Sequence, residues 1–315
     1  MPAAALVKAP TVKCWRAATV DDCRRWYYPL PERSLRALDE TIQTLRRQPR
    51  PDAEVRLSNA QRAVCAPELK PVADAIERGR GFAVVRVPAA GYSKPELTTL
   101  YWLIGQALGE PFEQNVQGTL LYDVTDKGED LTKGARFSVT NYESSFHTDN
   151  SFGSSVLDYV GLLCLQNAKA GGVSQVMSCY AVHDELTQQH PAELAVLSQP
   201  FHVDRRGGLR PGETPTAFFP VLQWDGDELL FRYLRYWIQA GHEKVGQPLT
   251  PAQVNALDTL DEVLKRRDLM AEFSLEPGDM YFINNRWILH NRTAFEDWPE
   301  MERRRHLVRL WLKRA

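Results

Sequence analysis

The chain reads as a mixed α and β protein with a β-rich core, a β-sandwich or jelly roll carrying an inserted helical segment. Three observations predict this. Short β-rich runs recur from residue 119 onward, turn signals such as AGG, RGG, DGD and EPGD separate them, and helical periodicity interrupts them only near 180–197 and 251–267. Strands and helices do not alternate as in βαβ units.

The elements follow in order. In SLRALDETIQTLRR (34–47), Leu35, Leu38, Ile42 and Leu45 fall on one helical face, and the proline-rich QPRPDAE ends the pattern. A second helix is predicted over 67–78, with Leu69, Val72, Ala73 and Ile76 inward, and GFAVVRVP then reads as a buried strand. Lys94 to Leu108 forms a third helix, opened by Ser93 as cap and Pro95 in its first turn. The runs TLLYDV, SVLDYVGLLCLQNA, SQVMSC, TAFFPVLQW, ELLFRYL, AEFSL, DMYFIN and HLVRLWL supply the strands. One domain spans 1–315, with a helical extension over about 1–65 and a core over about 80–315 that holds a helical insert at about 180–270.

Composition narrows the function. Of 315 residues, 43% are hydrophobic and 25% charged, an ordinary globular balance. A net charge of -2 with scattered Lys and Arg offers no basic stripe for nucleic acid and no polybasic membrane segment. No apolar run has the length of a signal peptide core or a bilayer span, so a cytoplasmic protein is expected. The five cysteines contain no CxxC pair, which points to reduced, structural thiols.

Chemistry concentrates in SSFHTDNSF (144–152), after a polar, glycine-dotted run (125–141) that reads as a mobile lid. In an extended strand His147 and Asp149 point to one face and can meet one metal ion. The chain holds a second such pair, His202 and Asp204 in FHVD, so the pattern alone does not decide between a ligand set and a hydrogen-bonded pair. His290, in FINNRWILHNRTAFED, would complete two imidazoles and one carboxylate, the facial triad that holds Fe(II). Downstream, Arg305 and Arg309 stand four apart in an apolar strand and share a face, each able to bind a carboxylate bidentately, while Arg303 reads as a solvated edge. Gly171 and Gly172 allow a tight turn before Ser174.

These pieces resemble, in order and over roughly residues 80–315, the taurine dioxygenase and 2,4-dichlorophenoxyacetate dioxygenase (TauD/TfdA-like) family, including its clavaminate-synthase-like branch. The matching stretches are FHTDNSF, AGGVSQVMSCYAVHDEL, LLFRYLRYWIQAG, and PGDMYFINNRWILHNRTAFED running into RRRHLVRLWL. The resemblance implies a double-stranded β-helix (jelly roll) and an oxygenase using Fe(II), 2-oxoglutarate and O2 to oxidise an unactivated C–H bond, with succinate and CO2 released. It implies that His147, Asp149 and His290 bind iron, that Arg305 holds the distal carboxylate of 2-oxoglutarate, and that Ser174, where many members have threonine, assists. Arg309 would lie beside 2-oxoglutarate or an anionic group of the substrate, and Asn141, Tyr142 and Glu143 would line the substrate pocket. His202 and Asp204 have no place in this pattern. A buried guanidinium at Arg309 calls for an anion; a protein carboxylate or a second contact to 2-oxoglutarate would serve, but a small substrate bearing a carboxylate or sulfonate is expected, most simply an amino acid or derivative. Desaturation, cyclisation or taurine-like sulfonate degradation on the same scaffold stay open. A zinc hydrolase leaves Arg305 unexplained, a halogenase would lack Asp149, and a non-catalytic binding module is disfavoured by the complete ligand set.

Overall fold

The computed structural model describes residues 12–20, 26–128, 139–206, 209 and 212–314. Most of the predicted lid at 125–141, Cys23 and the glycines of the RGG turn lie outside the described residues. The first part of the chain comprises α1 (Ala17–Val20), β1 (Tyr27–Pro29), α2 (Glu32–Arg47), α3 (Asn59–Glu77), β2 (Phe82–Arg86), α4 (Lys94–Leu108), β3 (Glu110–Phe112), β4 (Leu121–Val124) and β5 (Tyr159–Gln166). There follow β6 (Ala170–Gly171), β7 (Ser174–Ser178), α5 (Cys179–Gln189), α6 (Pro191–Leu197), β8 (Pro200–Asp204), β9 (Thr216–Pro220), β10 (Leu222–Asp225) and β11 (Glu228–Phe231). The last elements are α7 (Arg235–Lys244), α8 (Pro251–Leu264), β12 (Met270–Phe273), β13 (Asp279–Asn284), β14 (Ile288–Arg292), β15 (Phe295–Glu296) and β16 (His306–Lys313).

Local sequence accounts for most boundaries. Helix α4 starts and stops where its Ser93–Glu96 capping box and Gly109 place it. Helix α3 begins eight residues before the predicted 67, because Ser58 and Gln61 form a capping box and the helix then runs through Pro67 and Pro71. Helix α7 was not anticipated. After the strand residues of β11 the inward positions become Ile238, Gly241 and His242, a helical i, i+3, i+4 spacing. The helical insert expected at 180–270 therefore also carries two β-hairpins, β8–β9 and β10–β11.

Seven strands form the large sheet, in the order β1-β2-β13-β5-β16-β3 with β4 also on β16, and only β1–β2 is parallel. Its strands bury both faces. Leu307 and Trp311 of β16 join one core cluster, whereas Val308, Leu310 and Leu312 join a second with helices α2, α3 and α4. The smaller sheet runs β12-β7-β14, and a bridge between His147 and His290 adds one more segment to its β14 edge. Val176 and Met177 of β7 enter the same cluster as Leu307 and Trp311, so the inward side chains of both sheets share one core.

Gly161, in the middle of β5, is required by packing. A Cβ there would lie 2.3 Å from the Tyr101 hydroxyl of α4 and 2.9 Å from Phe282 Cε1 of β13. Gly161→Ala is predicted to cost about 1–3 kcal/mol through overpacking. Urea unfolding measures this, and an unchanged midpoint would contradict the packing account.

Candidate active site

The site lies where the edge of the smaller sheet meets β16. His147 and His290 exchange backbone hydrogen bonds (3.1 and 3.0 Å), and their rings stand 4.3 Å apart. Ligand atoms of His147, Asp149 and His290 all lie within 4.8 Å of one another, the only such cluster of metal-ligating groups among the described residues. The extended strand expected to carry the pair is shorter than anticipated. His147 occupies the single bridge and Asp149 already begins a turn that Asn150 continues at φ 52°. Thr148 points the other way, its hydroxyl donating to the Phe231 carbonyl, so the two ligands still share a side.

Asp149 is held from several directions. Its backbone N–H donates to Asn285 Oδ1 (2.8 Å) and its carbonyl accepts from Asn285 Nδ2 (2.9 Å). On the side chain, Oδ2 accepts from Trp311 Nε1 (2.8 Å) and pairs with Arg309 Nη1 (3.1 Å). Oδ1 is left facing His147 Nε2 (3.5 Å) and His290 Nε2 (3.8 Å). Burial alone would raise the Asp149 carboxyl, but the Arg309 guanidinium beside it outweighs burial and holds it well below the usual carboxylate range. Burial, reinforced by His147, pushes His290 down to about 3, which leaves it a neutral donor. His147 Nδ1 bonds the Ser145 carbonyl at 2.7 Å, so that nitrogen carries the proton and Nε2 is the free donor.

A cavity lined by Gly171, Gly172, Ser174, Cys164 and Arg305 adjoins β7. Arg305 is buried, its Nη1 has no hydrogen-bond partner, and burial pushes its pKa down to about 10. Gly172 has φ +70°, and a Cβ there would lie 3.2 Å from Arg305 Nε, so this glycine gives the guanidinium its room. A separate cleft is lined by Phe112, Gln114, Phe152, Arg205, Glu213 and Trp311, and reaches the site through Trp311 and Asn150.

Several expectations change. Arg309 is not an unmet buried cation: besides Asp149, its Nε donates to Gln114 Oε1 (2.7 Å). Asn141, Tyr142 and Glu143 do not line the cleft. The Asn141 carbonyl accepts from Phe295 N, the Tyr142 carbonyl from Arg292 Nη2, and Glu143 Oε1 from Asn291 Nδ2 (3.2 Å), which fastens this segment to the chain after His290. Phe146 is buried in the core, and Phe152 packs against the same core cluster while also lining the cleft. His202 and Asp204 stay outside the triad, with Asp204 paired to Lys244. Sequence reasoning passed over Asn285, Trp311, Gln114 and Arg292. Trp311 was findable, since it follows Arg309 by two in a strand. Asn285 acts across 136 residues with no local signal.

The donor set of two imidazoles and one carboxylate fits Fe(II), and the orphaned Arg305 fits a carboxylate-bearing cosubstrate. The model of the family "Taurine catabolism dioxygenase TauD, TfdA family" matches residues 44–311, and the chain belongs to this family. FR-33289 synthase of Streptomyces rubellomurinus (strain ATCC 31215) is 29% identical over 311 residues, covering 95% of this chain and 88% of that protein. The structure is similar to asparagine oxygenase in complex with Fe(II), 2S,3S-3-hydroxyasparagine and succinate, with TM-score 0.67 and 18% identity over 91% of this chain and 93% of that one. It is also similar to the non-heme iron oxygenase OrfP in complex with Fe, succinate and (3S)-hydroxy-L-Arg, with TM-score 0.65 and 18% identity over 92% of this chain and 94% of that one. The protein is an Fe(II)- and 2-oxoglutarate-dependent dioxygenase.

Alanine at His147, Asp149 or His290 is predicted to abolish Fe(II) or Mn(II) binding in a folded protein, and His202→Ala to leave it intact. Asn285→Ala should weaken metal binding about 10–100-fold, because it frees the backbone that aims Asp149. Mn(II) electron paramagnetic resonance reads both effects, and wild-type affinity in Asn285→Ala would contradict the positioning role.

Proposed function

We propose that this enzyme hydroxylates an unactivated C–H bond of a small anionic or zwitterionic substrate, most simply an amino acid or a derivative. The two facing sheets are read as halves of a double-stranded β-helix (jelly roll), and residues 1–315 as one catalytic domain with its helical extension and insert. The observation that carries the reading is the His147–Asp149–His290 cluster standing near a cavity with a buried, unpartnered Arg305.

Bound Fe(II) with 2-oxoglutarate and dioxygen supplies the oxidising chemistry, and succinate and CO2 are the coproducts. His147, His290 and Asp149 hold the iron. Trp311 and Arg309 occupy Asp149 Oδ2, so that one carboxylate oxygen faces the imidazoles. Arg305 takes the distal carboxylate of 2-oxoglutarate in its cavity, with Ser174 beside it. The substrate enters by the other cleft, where Arg205 and Arg206 stand with Glu113 and Glu213, a mixed-charge lining that suits a zwitterion. The hydroxylated amino acids held by asparagine oxygenase and OrfP support the same class. Arg309 contributes positive charge beside the site, while its direct contact is Asp149. Among the described residues no helix is long and apolar enough to cross a membrane, and the four described cysteines are free, which supports a cytoplasmic setting.

Succinate release across amino acids, sulfonates and small carboxylates tests the reading, with product masses read alongside. Turnover is predicted for substrates carrying a carboxylate or sulfonate, with a gain of 16 mass units marking hydroxylation, about one oxygen atom. Full turnover of a substrate lacking any anionic group would contradict it. Arg305→Ala should raise the 2-oxoglutarate requirement at least about tenfold, and Ser174→Ala less. An unchanged requirement in Arg305→Ala would remove that residue from the cosubstrate site.

A further inference from the structure

Arg292 lies two residues beyond His290 on β14, and the antiparallel register sets it directly opposite Ser174 of β7. Directly opposed residues of an antiparallel pair project from the same face, so Arg292, Ser174 and His290 share one side of the smaller sheet. Arg305 reaches the same neighbourhood from the start of β16. The two guanidinium groups lie 4.6 Å (Arg292) and 5.1 Å (Arg305) from the ring of Phe295.

Neither cation has an ion-pair partner within 4.0 Å among the described residues. Arg292 Nε and Arg305 Nη1 are both buried without a hydrogen-bond partner. The carboxylates that act on Arg292, Asp126 and Asp297, do so only at a distance, while Arg305 opposes it. One end of Arg292 is anchored, since Nη2 donates to the Tyr142 carbonyl. Two desolvated like charges side by side are costly unless an anion joins them. A carboxylate arriving at Ser174 would meet both.

We propose that Arg292 is a second binding residue for the distal carboxylate of 2-oxoglutarate, sharing it with Arg305. The inference rests on the cosubstrate reading above and adds a residue that the sequence did not single out. It also links the cosubstrate to the 141–143 segment, because the same side chain holds the Tyr142 carbonyl.

Anaerobic calorimetry on the Fe(II)-loaded enzyme tests it with two ligands, 2-oxoglutarate and 2-oxopentanoate, which keeps the keto-acid head and chain length but lacks the distal carboxylate. Arg292→Gln should weaken 2-oxoglutarate about tenfold or more and leave 2-oxopentanoate unchanged, and Arg292→Lys should recover part of the loss. Unchanged 2-oxoglutarate affinity would show that Arg292 serves only the Tyr142 carbonyl and overturn the proposal. An equal loss for both ligands would mark a structural effect and overturn it as well. If wild-type enzyme binds neither keto acid, the cosubstrate reading itself falls and takes this inference with it.

Discussion

Everything at the site depends on how one carboxylate is held. Asp149 sits in a turn, not in a regular strand, so sheet pairing does not fix it. Asn285 does that work by bonding both its backbone N–H and its carbonyl. Trp311 and Arg309 then take Oδ2, and the remaining oxygen is turned toward two imidazoles. A carboxylate buried without these partners would protonate and be lost as an anionic ligand. With them it stays charged, and His290 approaches as a neutral donor.

That constraint explains why the two sheets must meet here. Asn285 follows β13 and Trp311 and Arg309 belong to β16 or its neighbourhood in the large sheet, while His147 and His290 belong to the edge of the smaller one. The three side chains are therefore brought together across the shared core, and helices α2, α3 and α4 pack on the other face of the large sheet. Two recesses lie beside the centre. One presents Arg305, Ser174 and the glycine turn; the other presents Trp311, Gln114 and a mixed-charge rim. Two separate recesses would suit a reaction in which two small molecules must be positioned independently.

What the sequence disclosed followed from periodicity and short spacing. The α4 helix was legible from its cap and proline, and the strands of the large sheet from alternating apolar runs. The triad members were legible as residue types in a family order, and the glycine pair as a turn. What it did not disclose depended on distant partners. Nothing near Asn285 announces that it will bond residue 149, and nothing near Arg309 announces that its charge is met by Asp149 and not by a ligand. With Arg309 paired to Asp149, the charged lining of the outer cleft is what would meet an anionic group of a substrate. Helix α3 shows the same lesson locally, since a capping box outweighed two interior prolines.

The central claim is that this chain builds one centre where Fe(II) and 2-oxoglutarate bind together. The most direct measurement is the visible absorption of the anaerobic protein as both are added. The account predicts a weak charge-transfer band that requires Fe(II) and 2-oxoglutarate together, is absent with Zn(II), and shifts when substrate occupies the outer cleft. A wild-type protein that binds Fe(II) yet shows no such band with saturating 2-oxoglutarate would contradict it.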